Sequence, residues 1–475
     1  MAVLVGHPMS LKKRLVLCLA YALLLLLVAG GLWWPDASGK AAVVAAKERI
    51  RAAGLPLTIG EIRPPHVPDE DNAALVIERI KRLLDTFPAL KRLQNSEDDF
   101  IKAHATAYRL NATGTHELAE MLDTQPVSDL LALIYAAAAK KGYDARLDYN
   151  KGPAIIVSNL GDLQRWAKLL RLHARLAVSR GQMEEVCIDI LSMTKLADFL
   201  SDEPILISQL TRWAIWGMVP GELEQLASSG TLLVGWNQIF ADRLESLNLA
   251  ESHARGLDGE RVLFGSNAFE QFMATHGNVR SLGLGLGGVD WPTWLRIMRY
   301  HIPGLLPMEY ADYLDRARRV RIAVTQTPQS YVETIHQQKD ALEKIPPTSL
   351  VTGMVLPMFS GVTKNLWIHR AAFIATRTGL ALERFRVAKG RYPATLGELV
   401  PEFMRELPVD VFTGKPLIYR TEPGGAVVYS VGPNLQDDGG IEDLHTPKDD
   451  QGWASGTAAL RKFAPVTVPA APAVP

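Results

Sequence analysis

Four residues of one stretch could do acid-base chemistry together: His173, Glu184, Asp189 and Arg212. An imidazole oriented by a carboxylate moves protons near neutral pH, and an arginine beside them would hold an anionic group. They lie several helical turns apart in sequence, so only the fold decides whether they meet. The ordered motifs are broken. His116 and Glu117 open the run HELAE, but its last position is Glu120, and a zinc-protease helix needs two imidazoles one turn apart. Gly283, Gly285 and Gly288 satisfy G-x-G-x-x-G. No strand pattern precedes them, however, and Asp290-Trp291-Pro292 interrupts the helix that a dinucleotide site requires. Neither a G-x-S-x-G elbow nor a G-x-x-x-x-G-K-[ST] phosphate loop occurs. Cys18 and Cys187 are the two cysteines, too few for a disulfide framework or a multi-cysteine zinc site. Asp69-Glu70-Asp71 reads either as a metal-ligand set or as a solvated helix start whose carboxylates suit the positive end of the dipole.

The elements that must position these groups are chiefly helices. From Ala41 to about Lys364 the apolar spacing is helical, broken at stretches rich in proline and glycine. Ile62 to Asn72 holds three prolines, and Asp69 to Asn72 offer caps for a helix that starts at Ala73. Asp162 to Ser179 and Gln182 to Leu200 are amphipathic stretches separated by Arg180-Gly181, which predicts an antiparallel helical hairpin. Asp202-Glu203-Pro204 starts a third helix through Leu210, Trp213 and Met218. Trp166, Leu169 and Leu170 look like the opening of a tetratricopeptide unit, but no second copy follows at about 34 residues, so an irregular helical bundle is expected.

Residues Leu15 to Trp34 are uncharged and apolar over the length of a membrane span, with Lys12, Lys13 and Arg14 before them and Trp33-Trp34 closing them. This predicts a cytoplasmic N-terminus over 1–14, a transmembrane anchor over 15–34 and an extracytoplasmic helical domain over 35–365, the bulk of the chain being periplasmic. The alternative is a signal peptide cleaved near Ala37-Ser38-Gly39, against which the apolar run is longer than the usual h-region. Lys and Arg number 51, as do Asp and Glu, so no charge excess favours nucleic acid. After Ser455 the chain becomes rich in Ala, Val and Pro and reads as a flexible tail over 456–475.

A different pattern occupies 366–455. Trp367 to Lys389 is a long helix with an apolar stripe through Ala375, Gly379, Leu382 and Phe385, ended by Gly390 and Pro393. A short helix over Leu396 to Val400 follows, then the turn-rich Pro408 to Pro416. Leu417 to Arg420 and Ala426 to Val431 are short strands joined by Thr421 to Gly425, and an acidic glycine-rich loop comes next. The fold class is therefore mainly α, with a small C-terminal α+β domain.

The succession GRYPATLGELVPEF, LPVDVFTGKPLIYR and VVYSVGPNLQDDGG resembles the head domain of the major type II secretion pseudopilin. The whole chain, including PPHVPDEDNAA and DEPILISQL, is similar to membrane-anchored bacterial proteins that carry such an end after a helical region. The pseudopilin leader and its Phe-Thr-Leu-Ile-Glu-like helix do not occur in residues 1 to 35, so the resemblance is to the head alone. It implies a long helix packed on a small sheet, with calcium tying down the last loop. The matching acidic positions are Asp437, Asp438 and Asp443, with backbone near Pro433 and Leu435; a solvated Asp-Asp-Gly-Gly turn is the alternative. The functional expectation is an envelope scaffold or interaction protein on the bacterial inner membrane, with type II secretion or other envelope proteins as partners. The alternative is an extracytoplasmic enzyme or ligand-binding protein using the helical domain.

Overall fold

Helix starts and stops fall where capping chemistry puts them. The computed structural model describes residues 36–87, 100, 105–106, 109–155, 157, 159–228, 232, 234–275, 304–325, 339, 345–346, 349–440, 450–456 and 458–459. Asn72 caps α1 (Ala73–Thr86), its Oδ1 accepting from the Ala74 N–H at 2.9 Å. The same buried amide donates to the Asp144 carbonyl at 3.0 Å, which ties the helix start to the chain that follows the third helix. The dipeptide strands β1 (Ala105–Thr106) and β2 (Arg109–Leu110) pair before α2 (Ala112–Leu122). Asn111 caps α2 by accepting from the Gly114 N–H at 2.7 Å, and Pro126 sits in the first turn of α3 (Gln125–Ala138).

Helices α4 (Leu160–Arg180) and α5 (Met183–Asp198) form the expected hairpin. Gly181 takes φ 75° between them, a left-handed position that favours glycine. Its N–H donates to the Val178 carbonyl at 3.0 Å, and the Gln182 N–H donates to that of Ala177 at 2.9 Å, the paired bonds of a Schellman stop. Trp166 and Leu170 of α4 and Ile190 and Met193 of α5 are fully buried. The bundle continues through α6 (Leu206–Trp216), α7 (Val219–Ser228), α8 (Val234–Glu245) and α9 (Leu249–Gly259). A Cβ on Gly259 would stand 1.3 Å from the Pro204 carbonyl oxygen, so glycine is what lets α9 approach the loop before α6.

The chain divides into two compact units, one formed by Met1–Thr58, Arg261–Arg319 and Ala341–Pro357, the other by Ile59–Glu260, Val320–Asp340 and Met358–Pro475. In the first, residues 36–52 are helical and accompany α10 (Asn267–Ala274) and the start of α11 (Leu305–Thr325). Phe269 stacks on Tyr310 at 4.9 Å and tilts against Tyr313 at 5.3 Å. Arg49 grips Asp315 with two hydrogen bonds, at 2.9 and 2.5 Å.

In the second unit lies most of the last helix, α12 (Leu350–Lys389), which begins earlier than the Trp367 start read from sequence. Pro357 lies within it. That ring denies the Gly353 carbonyl its helical donor, and both residues are exposed, so water can replace the lost bond. The helix stops as expected at Gly390, φ 73°, whose N–H donates to the Arg386 carbonyl at 2.8 Å. A 3₁₀ turn at Leu396–Leu399 takes the place of the short helix.

Strands β3 (Ile418–Glu422) and β4 (Gly425–Ser430) form the expected antiparallel hairpin, with Tyr419 opposite Val428. A third strand, β5 (Gln451–Gly456), adds to the other side of β4 and places Trp453 opposite Val428. Sequence reading misses it because QGWASG is short and poor in β-branched residues. Trp453 packs on α12 at Gly379, where a Cβ would lie 2.1 Å from the indole. The outer side of β5 is closed by Glu224 of α7, which accepts the Ala454 N–H at 2.6 Å. The described fold is thus mainly helical with a small three-stranded antiparallel sheet near its C-terminal end. Residues 15–34 and the glycine-rich stretch as far as residue 303 lie outside the described residues. Among the described residues no helix is long and apolar enough to cross a membrane.

Candidate functional site

The acidic loop follows β4. Asp437 is exposed, and its Oδ1 accepts from the Tyr429 hydroxyl at 2.8 Å and the Gly439 N–H at 2.9 Å. Those bonds, the Tyr429 one foremost, hold its carboxyl below the usual carboxylate range. Asp438 is also exposed and accepts from the Asn434 amide at 2.9 Å. Asp443 lies outside the described residues. The structure adds an acid that sequence reading omits: Asp450, fully buried, accepts the Gly440 N–H at 2.7 Å through Oδ2, while Oδ1 has no hydrogen-bond partner among the described residues. Burial, then repulsion from Asp438 and Asp437, raises its pKa. Gly440 takes φ 78°, and a Cβ there would press on the Tyr429 ring at 2.9 Å. The only sequence signal for Asp450 is its place just before β5, which is illegible without that strand. Among the described residues no three His, Cys, Asp or Glu side chains converge in a group able to hold a metal ion.

The helical body offers a second arrangement. The α4–α5 hairpin brings His173 against Asp189, Nδ1 to Oδ2 at 2.7 Å, and Tyr135 of α3 donates its hydroxyl to Asp189 Oδ1 at 2.5 Å. Asp189 is fully buried, and 19% of the His173 side chain is exposed. Burial alone would lower the imidazole pKa, but the hydrogen bond and charge of Asp189 outweigh it and raise the value. For Asp189 burial pushes up and the His173 and Tyr135 bonds pull down. The His173 direction is the one the geometry carries, because its closest polar contact is the carboxylate. Such a dyad fixes one ring nitrogen as donor and leaves Nε2 to exchange protons. A nucleophile is lacking in nearby Cys187, whose thiol burial pushes up to about 12.

Two other expected residues do not join this pair. Glu184 is exposed in the first turn of α5. Arg212 pairs with Asp198 at 3.1 Å, a carboxylate that also accepts from Trp216 Nε1 and binds Arg243. Tyr135 is the partner that sequence reading misses; its alanine-rich surroundings on α3 carry no signal of it. His116 lies exposed on α2 and approaches Glu120 at 3.4 Å, and Asp69 and Asp71 pair with Arg146 and Lys141 as a solvated helix start would.

The dyad implies a pH dependence. A raised folded pKa means that the His173 contribution to stability is complete below the unfolded value of about 6.5 and is lost as pH rises through the folded value. The stability gap between wild type and His173→Gln, measured by urea denaturation, is expected to be widest near pH 6, at about 1–2 kcal/mol, and to shrink toward pH 9. A gap that widens with pH would contradict the Asp189 assignment.

No protein-family model, curated protein sequence or solved structure matches this chain.

Proposed function

We propose that the protein is a membrane-anchored, extracytoplasmic scaffold of a bacterial envelope assembly, type II secretion or a comparable one, and that its C-terminal α+β end serves as a pseudopilin-like interaction head. One observation carries this reading: the sheet is fastened into the helical body through Trp453 on Gly379 and through Glu224 on the β5 edge. A head so fixed presents a surface and does not swing free. Leu407, Val409 and Leu435 stand 46%, 49% and 44% exposed along this end, apolar contacts suited to a protein partner. The apolar stretch at 15–34 and the sequence resemblance supply the address.

A photo-crosslinking residue placed at Leu407 or Leu435 in cells is expected to give a discrete adduct with an envelope component. The chain itself is expected to stay with the membrane after carbonate washing and to be cut by protease added to spheroplasts. Release by carbonate, or protection from protease, would defeat the reading.

Calcium belongs to the same proposal. Asp437, Asp438 and Asp443, the positions the resemblance matches, would with neighbouring backbone carbonyls offer the hard oxygen donors that calcium takes. Calcium at a hundredfold excess over its dissociation constant is expected to stabilise the full chain by about 2.7 kcal/mol, and Asp438→Asn to abolish the gain. A melting temperature indifferent to calcium and to chelator would remove the site.

A second reading, an extracytoplasmic enzyme or ligand-binding protein, is favoured by the His173–Asp189–Tyr135 cluster. It requires a substrate that reaches His173 Nε2. Loss of binding or turnover in His173→Gln, with the fold intact, is its test.

A further inference from the structure

Arg370, Arg377 and Arg384 recur every seven residues along α12, a spacing close to two helical turns that puts them on one face. Two adjoining hollows lie along it. One, of about 200 Å³, holds Arg377, Arg384 and Arg405 with the carboxylates of Asp242, Glu245, Glu402 and Glu406, so its charges offset one another. The other, of about 220 Å³, lies between α12 and the turn from α8 to α9 and holds Arg370 and Arg377. Glu245 is the only carboxylate in its lining, at 3.8 Å from Arg377 Nη1, beyond hydrogen-bond length.

Arg370 has neither an ion pair nor a hydrogen bond among the described residues. Its guanidinium stacks on the buried Trp367 ring, 4.6 Å from the centroid, and burial lowers its pKa. A half-buried guanidinium whose donors are not taken up by protein acceptors is free to bridge an anionic group. Arg377 also keeps a buried Nε without a partner. Apart from Asn248, the remaining walls are apolar, formed chiefly by Leu244, Leu247, Leu249 and Phe373.

We propose that this groove binds a small amphiphilic anion, its carboxylate or phosphate head bridged by Arg370 and Arg377 and its short alkyl chain lying on Leu244, Leu249 and Phe373. Planar guanidinium forks match either head group, and the apolar walls select an organic anion over a bare ion. The site is independent of the envelope reading and of the His173 cluster.

Calorimetric titration of the purified full chain, with buffer as blank, tests it with four probes: sodium hexanoate, hexyl phosphate, inorganic phosphate and hexanol. Hexanoate or hexyl phosphate is expected to bind saturably at one site per chain, and hexanol and inorganic phosphate at least tenfold more weakly. The tighter of the two amphiphiles identifies a fatty-acid or a phosphate head as the natural class. Arg370→Gln is expected to weaken binding at least tenfold. Ala250→Phe, which fills the groove from the first turn of α9 and leaves both arginines in place, is expected to abolish it. Should Arg370→Gln fail to fold, the Ala250→Phe result decides. No saturable binding, inorganic phosphate as tight as hexyl phosphate, or affinity unchanged in a folded variant would overturn the proposal.

Discussion

Asp410→Ala is expected to lower the unfolding free energy by about 3–5 kcal/mol, the cost of stripping a buried carboxylate from several donors at once. Asp410 is 2% exposed and accepts from the Phe412 N–H at 2.8 Å, the Ser430 hydroxyl at 2.8 Å and the Val431 N–H at 3.2 Å. Its own N–H donates to the Lys415 carbonyl at 2.7 Å, and its carbonyl accepts from the Gly414 N–H at 2.8 Å, closing the turn. One side chain therefore clips the loop before β3 to the end of β4. Alanine removes the acceptor of the Phe412 and Val431 N–H groups, both on buried residues. Asp410→Asn, which keeps the shape and one acceptor, is expected to lose about half as much. Urea denaturation followed by circular dichroism reads both. A loss under about 1 kcal/mol for the alanine variant would show that the clip does not hold the sheet.

Gly379→Val is expected to cost about 3 kcal/mol, although valine is the better helix former by a few tenths of a kcal/mol. At this position the added Cβ alone would meet the Trp453 indole at 2.1 Å, and β5 must shift off α12 to make room. Gly379→Ala, which gains about 1 kcal/mol of helix propensity, is still expected to destabilise. Adding Trp453→Ala to Gly379→Val is the sharper measurement. Truncating a buried tryptophan costs about 3–5 kcal/mol by itself, but it opens the space that valine needs, so the two losses should fall short of additive by at least 1 kcal/mol. Strict additivity would mean that the indole and Gly379 do not meet in solution.

Both experiments concern contacts that no sequence pattern displays, and the same divide runs through the candidate sites. The α4–α5 hairpin was legible because Gly181 follows an amphipathic run and nothing else could sit at φ 75° as cheaply. The stop at Gly390 and the β3–β4 hairpin were legible for the same reason: turn residues bounding apolar periodicity. The pairing of His173 with Asp189 was not legible: both stand on helices that the periodicity shows, but nothing in it turns them toward each other or gives Arg212 to Asp198. Which carboxylate an arginine finds depends on the rotation of each helix about its axis, and helical periodicity leaves that to packing. Asp450 escaped because its role depends on β5, a strand recruited by the edge of β4 and by Trp453 more than by its own propensity.

Residue order alone fixed the helix that starts at Ala73, the α4–α5 hairpin, the stop before Tyr392, the β3–β4 hairpin and the acidic composition of the loop after it. These are local: a few neighbouring residues fix backbone dihedrals through sterics, capping bonds and apolar spacing. Packing settled the third strand, the seat of Trp453 on Gly379, the partner of each buried charge and the place of Arg370 over Trp367. Those outcomes rest on desolvation, which is set by whatever surrounds a group in space, and the surroundings of these side chains come from segments far away in the chain.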